Sequence, residues 1–166
     1  IIDFFITREK VALRDAGVKA DTIDAVLASR IEEPMVLAAR ARALEAARTH
    51  EPEVFADLAT AFARANNLRE IGLGTGYKTA ELTAVERDLS DAVEAAEEAV
   101  AAALREDRFA DALTALAALR APVDRFFETT MVMDEDAEVR ANRLKLLNRF
   151  ANVFSHVADF GQMAKK

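Results

Sequence analysis

The chain has 166 residues, enough for one domain, and its 29 Asp and Glu outweigh 22 Lys and Arg to leave a net charge of −7. The absence of cysteine excludes a disulfide scaffold and thiolate metal sites and fits a reducing cytoplasm, while an apolar share of 52% can fill a core. No apolar run approaches the ~20 residues that cross a bilayer, no signal-peptide pattern is read, and the acidic balance argues against nonspecific nucleic-acid binding without excluding a local basic face.

Strong helix formers, chiefly Ala, Leu, Glu and Arg, dominate throughout. The opening IIDFF, with Ile1 in place of Met, predicts an excised segment and not a full gene product. The pattern predicts a helix over Asp3–Ala16, stopped by Gly17, and a second over Asp21–Ser29 capped by Asp21 or Thr22. Pro34 and Pro52 then open helices over Pro34–Thr49 and Pro52–Ile71, each proline in a first turn where its missing N–H costs nothing. In the latter, Val54, Leu58, Ala61, Phe62, Ala65 and Leu68 recur at three- and four-residue steps. Ile71–Thr79, IGLGTGYKT, is the one glycine-rich break and predicts a long mobile loop.

Thr83 and Glu86 make a T-x-x-E capping box for a long helix reaching about Arg105. Its Val85, Leu89, Ala92, Val93, Ala96 and Val100 are expected inside, with Glu86, Asp91, Glu94, Glu97 and Glu98 mostly outside. Helices over Arg108–Leu119 and Pro122–Thr130 follow, then a last one from about Asp134 to Phe160, whose acidic start suits the positive end of the helix dipole. With no period-2 strand pattern, the fold class is all-α: a bundle of about seven to eight helices with a long C-terminal helix, forming a single domain over residues 1–166.

The residues offer no catalytic apparatus. His50 and His156 stand alone, without a carboxylate or second histidine at ligand spacing, so no metal site is expected. The GLGTG of Gly72–Gly76 lacks the Lys-Ser/Thr of a phosphate loop and the strand that precedes a dinucleotide site. The acidic row of Glu86–Glu98 reads as a solvated helix face.

Between Glu138 and Asp159 the charged side chains are all cationic: Arg140, Arg143, Lys145 and Arg149. In helical projection Val139, Leu146, Leu147, Phe150, Val153, Phe154 and Val157 share one arc, while Lys145, Asn148, Arg149, Asn152, Ser155 and His156 share the opposite one. The polar arc has no nearby anion in sequence. It is either an ordinary wet face or a surface that meets phosphates and base edges. Arg143 projects into the apolar arc, where a lone guanidinium is costly, so an internal carboxylate partner is expected, with Asp124 the candidate.

Phe109–Leu147, FADALTALAALRAPVDRFFETTMVMDEDAEVRANRLKLL, closely resembles the C-terminal region of the β subunit of bacterial α2β2 glycyl-tRNA synthetases. That family's pattern is A-L-x-x-L-x-x-L-x-x-P-V-D-x-F-F, then V-M-V-M, an acidic stretch, and L-R-x-N-R-L-x-L-L. It is matched by Ala112, Leu113, Leu116, Leu119, Pro122, Val123, Asp124, Phe126 and Phe127, by Met131–Met133, and by Arg140, Asn142, Arg143, Leu144, Leu146 and Leu147. Upstream, AFARANN resembles the A-F-x-R-x-x-N segment through Phe62, Arg64 and Asn67, and the opening DFF…LRDAGVKADTIDAVLAS resembles the entry to the domain. Thr130 stands where relatives usually carry Val, and Asp136–Arg140 is one residue longer than the D-A-L-R signature of the related arginyl-tRNA synthetase domain.

The resemblance implies a DALR-type anticodon-binding architecture and a noncatalytic role in a ligase that attaches glycine to its tRNA. It implies glycine tRNA, the remainder of the β subunit and an α subunit as partners in an α2β2 tetramer, in the cytoplasm and away from membranes. ATP and magnesium would act at the α subunit, with no cofactor in this segment. The implied tRNA contacts are Arg140, Lys145, Arg149 and Asn152 on the last helix and Arg64, Asn67 and Arg69 before the loop, with Tyr77 and Lys78 available for stacking and phosphate. Asp124, Asn142 and Arg143 are the motif residues expected to hold helices together. The acidic Glu86–Glu98 helix is expected to face away from RNA. A helical protein–protein interaction module without RNA binding is the alternative.

Overall fold

A computed structural model describes residues 2–28, 34–70 and 72–163. Among the described residues there are eight α-helices, two short 3₁₀ turns and no strand. The helices are α1 (Ile2–Asp15), α2 (Ala20–Leu27), α3 (Pro34–His50), α4 (Pro52–Asn67), α5 (Ala84–Arg105), α6 (Phe109–Ala117), α7 (Arg120–Thr129) and α8 (Ala137–Ser155). The all-α class holds, and no helix among the described residues is long and apolar enough to cross a membrane. The expected ends of the second and fourth helices, Ser29 and Ile71, lie outside the described residues.

Helix α8 runs through the middle of the bundle, packed against α4 on one side and α5 on the other. Its aromatic side forms the densest part of the core. Phe154 meets Phe62 of α4 at 5.5 Å, Phe150 at 5.1 Å and Phe160 at 4.8 Å between ring centroids, in tilted and edge-on geometries that suit the ring quadrupole. Phe126, Phe150, Phe154 and Phe160 are fully buried. Helix α5 rests on α6 and α7 as well, through Leu89, Val93, Ala96, Val100 and Ala103.

The element ends show where local chemistry overrides periodicity. Helix α8 is shorter than the Asp134–Phe160 expected. Asp136 caps it, its carboxylate accepting from the Glu138 and Val139 N–H groups at 2.8 and 3.3 Å. At the other end the chain leaves the helix after Ser155, the Asp159 N–H donates to Ala25 at 2.9 Å, and the Asp159 carboxylate caps the 3₁₀ turn Phe160–Gln162. That return tucks Phe160 back under the bundle. The cap of α2 is Lys19, because Asp21 turns to Arg48 at 2.9 and 3.0 Å. Helix α7 starts two residues before Pro122, still within the first turn where a proline N–H is not missed.

Candidate RNA-binding face

The expected capping box at the start of α5 is formed: Thr83 Oγ1 accepts the Glu86 N–H at 3.3 Å and Glu86 Oε2 accepts the Thr83 N–H at 3.0 Å. This folds the Glu86 side chain back along α5 and leaves Oε1 pointing at α8. There it accepts from Nε of Arg143 at 2.6 Å. The same guanidinium donates through Nη1 to the Met131 carbonyl at 2.8 Å and to Asp134 Oδ2 at 3.0 Å. The Glu86 and Arg143 side chains are only 4% and 14% exposed. Arg143 is therefore paired as expected, but its partners are Glu86 and Asp134. Asp124 is half-exposed and lies 3.8 Å from Arg120, one turn earlier on α7. Asp134 sits below the usual carboxylate range, chiefly because it accepts the Asp136 N–H, with Arg143 reinforcing the effect.

Two turns further along α8, Arg149 forms a two-pronged pair with Glu97. Nε and Nη2 reach the two carboxylate oxygens at 2.8 and 2.7 Å, and Nη1 donates to the Tyr77 hydroxyl at 2.8 Å. Tyr77 Oη and Ser90 Oγ are 2.6 Å apart, so the ring is tied to α5 as well. The Glu97 hydrogen bonds push the Arg149 pKa above its ordinary value, which fixes its charge at any working pH.

These contacts correct the expectation for the basic helix. Its polar arc does have an anion against it: the acidic helix α5 packs on α8 and spends Glu97 on Arg149 there, while Glu86 goes to Arg143. Glu86 is buried, contrary to its assignment to the outer face. Charge pairing across 57 and 52 residues leaves no mark in local periodicity.

From Gly72 on, the glycine-rich segment is anchored to α8. Asn142 brackets the Lys78 backbone, its Oδ1 accepting the N–H at 2.6 Å and its Nδ2 donating to the carbonyl at 3.2 Å. Asn148, which the projection placed on the wet arc, is buried and donates through Nδ2 to the Gly74 carbonyl at 2.9 Å. Gly72 and Gly74, with φ of +90° and +78°, supply the left-handed turns that lay the backbone along α8. Two asparagines and one arginine of α8 thus hold the segment in place, and Tyr77 faces inward, half-buried.

The remaining candidates fall in three places. Arg69 and Asn152 line one cleft of about 500 Å³ with Glu70, Gly74, Thr75 and Asn148. Lys145 and Asn152 are seven residues apart and share a face of α8; neither side chain has a hydrogen-bond or ion-pair partner among the described residues. Asn67 ends α4 just before this cleft and is exposed. Arg140 is drawn to the N-terminal approach of α8, donating to the Asp134 carbonyl at 2.8 Å. Arg64 lies 4.3 Å over the Phe127 ring and lines a separate cleft with Asp57, Asp124 and Glu128, a strongly acidic setting for a phosphate contact. The reading from sequence missed Asn148 and Glu70; an amide six residues beyond Asn142, opposite a glycine-rich break, was the available sign.

Residues 58–160, from α4 to the final 3₁₀ turn, match the DALR anticodon binding domain. The chain belongs to that family. Its curated relatives include the glycine–tRNA ligase β subunit of Desulforudis audaxviator, 40% identical over 163 residues that make up 98% of this chain and 23% of that protein. The corresponding subunit of Cereibacter sphaeroides is 40% identical over 169 residues, 96% of this chain and 24% of that protein. That of Geobacter metallireducens is 38% identical over 165 residues, 99% and 24% respectively. The chain therefore spans about a quarter of the length of the relatives it matches. The matched region of this DALR domain contains the cleft, the glycine-rich segment and the whole of α8.

Proposed function

We propose that this DALR domain binds the anticodon loop of glycine tRNA as the noncatalytic part of a longer glycine–tRNA ligase β subunit. The observation that carries the reading is the match of residues 58–160 to an anticodon-binding family, joined to relatives of that name at about 40% identity over nearly the whole chain. In this reading the rest of the β subunit and an α subunit, in an α2β2 tetramer, complete a cytoplasmic enzyme, and ATP and magnesium act at the α subunit.

The RNA-facing set is Asn67, Arg69, Lys145 and Asn152. Arg149 serves the fold of the face, since three of its five N–H donors are committed to Glu97 and Tyr77. Exposed loop bases present their Watson–Crick edges to such amide and guanidinium groups, and phosphates meet the two unpaired cations.

The test compares the intact ligase carrying this chain with an Arg69→Gln/Lys145→Gln variant, measuring glycine-tRNA affinity from 50 to 200 mM salt. Each phosphate contact to a single strand contributes about −0.7 to the slope of log K against log salt. The difference in slope between the two proteins is expected to be about 1.4, which cancels contributions from the rest of the subunit. Identical slopes and affinities would remove this face from RNA binding and favour a protein-interaction module.

A further inference from the structure

We propose that Met131, Met133 and Val139 form a docking patch for a basic amphipathic segment from the remainder of the same β subunit. This rests on the reading of the chain as part of a longer ligase subunit and gives that subunit an internal contact. Among the described residues five large apolar side chains are exposed, and three of them fall within nine positions: Met131 at 71%, Met133 at 52% and Val139 at 36%. Single exposed apolar residues are ordinary, whereas a cluster of them marks a contact surface.

Local packing explains why the three stand together. Thr130 leaves α7 in extended backbone, and in the residues that follow Val132 is buried while its neighbours on either side are exposed. Side chains on a helix lean toward its N-terminus, so Arg143 reaches back over the turn that carries Val139. There it holds the loop through the Met131 carbonyl at 2.8 Å and Asp134 Oδ2 at 3.0 Å, and Arg140 adds a bond to the Asp134 carbonyl at 2.8 Å. The methionines thus stand on a braced loop, with flexible thioether chains that adapt to a partner's shape. Asn152 is nine residues past Arg143, roughly two and a half turns, which puts the RNA-facing side of α8 opposite the patch.

Charge decides what can cover it. Residues 131–143 hold Asp134, Glu135, Asp136 and Glu138 against Arg140 and Arg143, and both arginines donate back into the loop. Glu135 and Glu138 are exposed, and their carboxylates have no partner among the described residues. Such a rim repels RNA phosphates, and a second copy in a two-fold contact would set the same carboxylates against each other. An apolar stripe edged with Lys or Arg is the complement. Three side chains also fall far short of the ~800 Å² that each partner in a freely associating pair buries. A segment tethered in the same chain escapes that demand, because its effective concentration reaches the millimolar range. In the two relatives the matched region is 23% and 24% of the subunit, so the remainder is ample to supply the segment.

The test oxidises the methionines of the intact ligase with hydrogen peroxide, without tRNA, and compares each sulfoxide rate with that of the same residue in the urea-unfolded ligase. A patch covered about nine-tenths of the time oxidises about tenfold more slowly, and Met131 and Met133 are expected to show that protection. Both glutamates are exposed, so Glu135→Lys/Glu138→Lys leaves the bundle intact; it is expected to cut the protection to under about threefold. A benzophenone side chain at position 131 is expected to cross-link to a Lys- or Arg-bearing peptide of its own β chain, whose mass on a denaturing gel stays unchanged. Methionines that oxidise as fast as in urea overturn the patch, as does protection that survives the charge reversal or appears only with tRNA. A cross-link to the α subunit or to a second β chain overturns it too. Glycine-tRNA affinity, measured alongside, reports on the anticodon reading alone, so a failed patch leaves that reading standing.

Discussion

The buried Arg143–Glu86 pair makes a quantitative prediction about asymmetry. Replacing Arg143 by Met strands Glu86, whose side chain is 4% exposed and whose other contact is the Thr83 N–H at 3.0 Å. An uncompensated buried charge of this kind costs about 3–5 kcal/mol. For a chain of this size that corresponds to a melting temperature lower by roughly 6–20 °C. Glu86→Gln is milder. Gln keeps an oxygen for the Thr83 N–H, and Arg143 retains Asp134 at 3.0 Å and the Met131 carbonyl at 2.8 Å, so the loss is about 1–2 kcal/mol. The double variant removes both charges and is expected to fall short of the sum by about 1–3 kcal/mol. Urea unfolding followed by circular dichroism, with a common slope for all four chains, reads out the cycle. An Arg143→Met chain within about 1 kcal/mol of the parent, or strictly additive effects, would show that the pair does not lock α5 to α8.

Asn142→Ala removes both bonds to the Lys78 backbone, at a cost of about 1–2 kcal/mol, and amide exchange at Gly74–Lys78 is expected to accelerate while the α4 core stays protected; unchanged exchange would mean that other contacts hold the segment. Two carboxylates are expected to respond to pH in opposite directions. Burial pushes Asp21 up, but the Arg48 hydrogen bonds and charge outweigh it, so the net shift is downward. Its stabilisation is present above the unfolded value of about 3.9 and is lost as pH falls through the lower folded value. Burial and the charge of Asp57 raise Asp124 despite Arg120, so its ionisation opposes folding above the raised folded value, and this burden lifts as pH falls below the unfolded one. Thermal melts should therefore show Asp21→Asn below the parent and Asp124→Asn above it at pH 7, with Asp124→Asn converging on the parent once pH falls below the unfolded value and Asp21→Asn only at still lower pH, below its depressed folded value.

The sequence made α5 and the oily side of α8 legible because each depends on local spacing. Thr83 and Glu86 are three residues apart, and Leu89, Val93, Ala96 and Val100 repeat at helical steps to form an inner row. The fate of Glu86 was not legible, since the rotamer that completes the capping box is also the one that delivers Oε1 to a residue 57 positions away. The anchoring of the glycine-rich segment was not legible for a related reason. Its anchors, Asn142 and Asn148, lie 64 and 74 residues downstream, and on a helical projection an asparagine that binds a loop looks the same as one that binds water. The family pattern carried information that periodicity lacked, because the Asn142-Arg143 pair belongs to its motif. What the motif did not convey was which carboxylates receive the arginine.

The arrangement of charge also constrains how an acidic domain can bind RNA selectively. Of four cations on α8, Arg143 and Arg149 are neutralised by carboxylates and Arg140 donates to a backbone carbonyl, which leaves Lys145 as the one without a partner among the described residues. A face with so few free cations on a chain of net charge −7 gains little from phosphate attraction and holds arbitrary RNA weakly. Selectivity must then come from positioned donors and acceptors, which need a rigid mount. The internal arginines serve that need: Arg149 fixes Tyr77, and with it the glycine-rich segment, while Arg143 locks α8 to the start of α5. The cationic charge of α8 is thus spent largely inside the domain, on holding α5, α8 and the glycine-rich segment together.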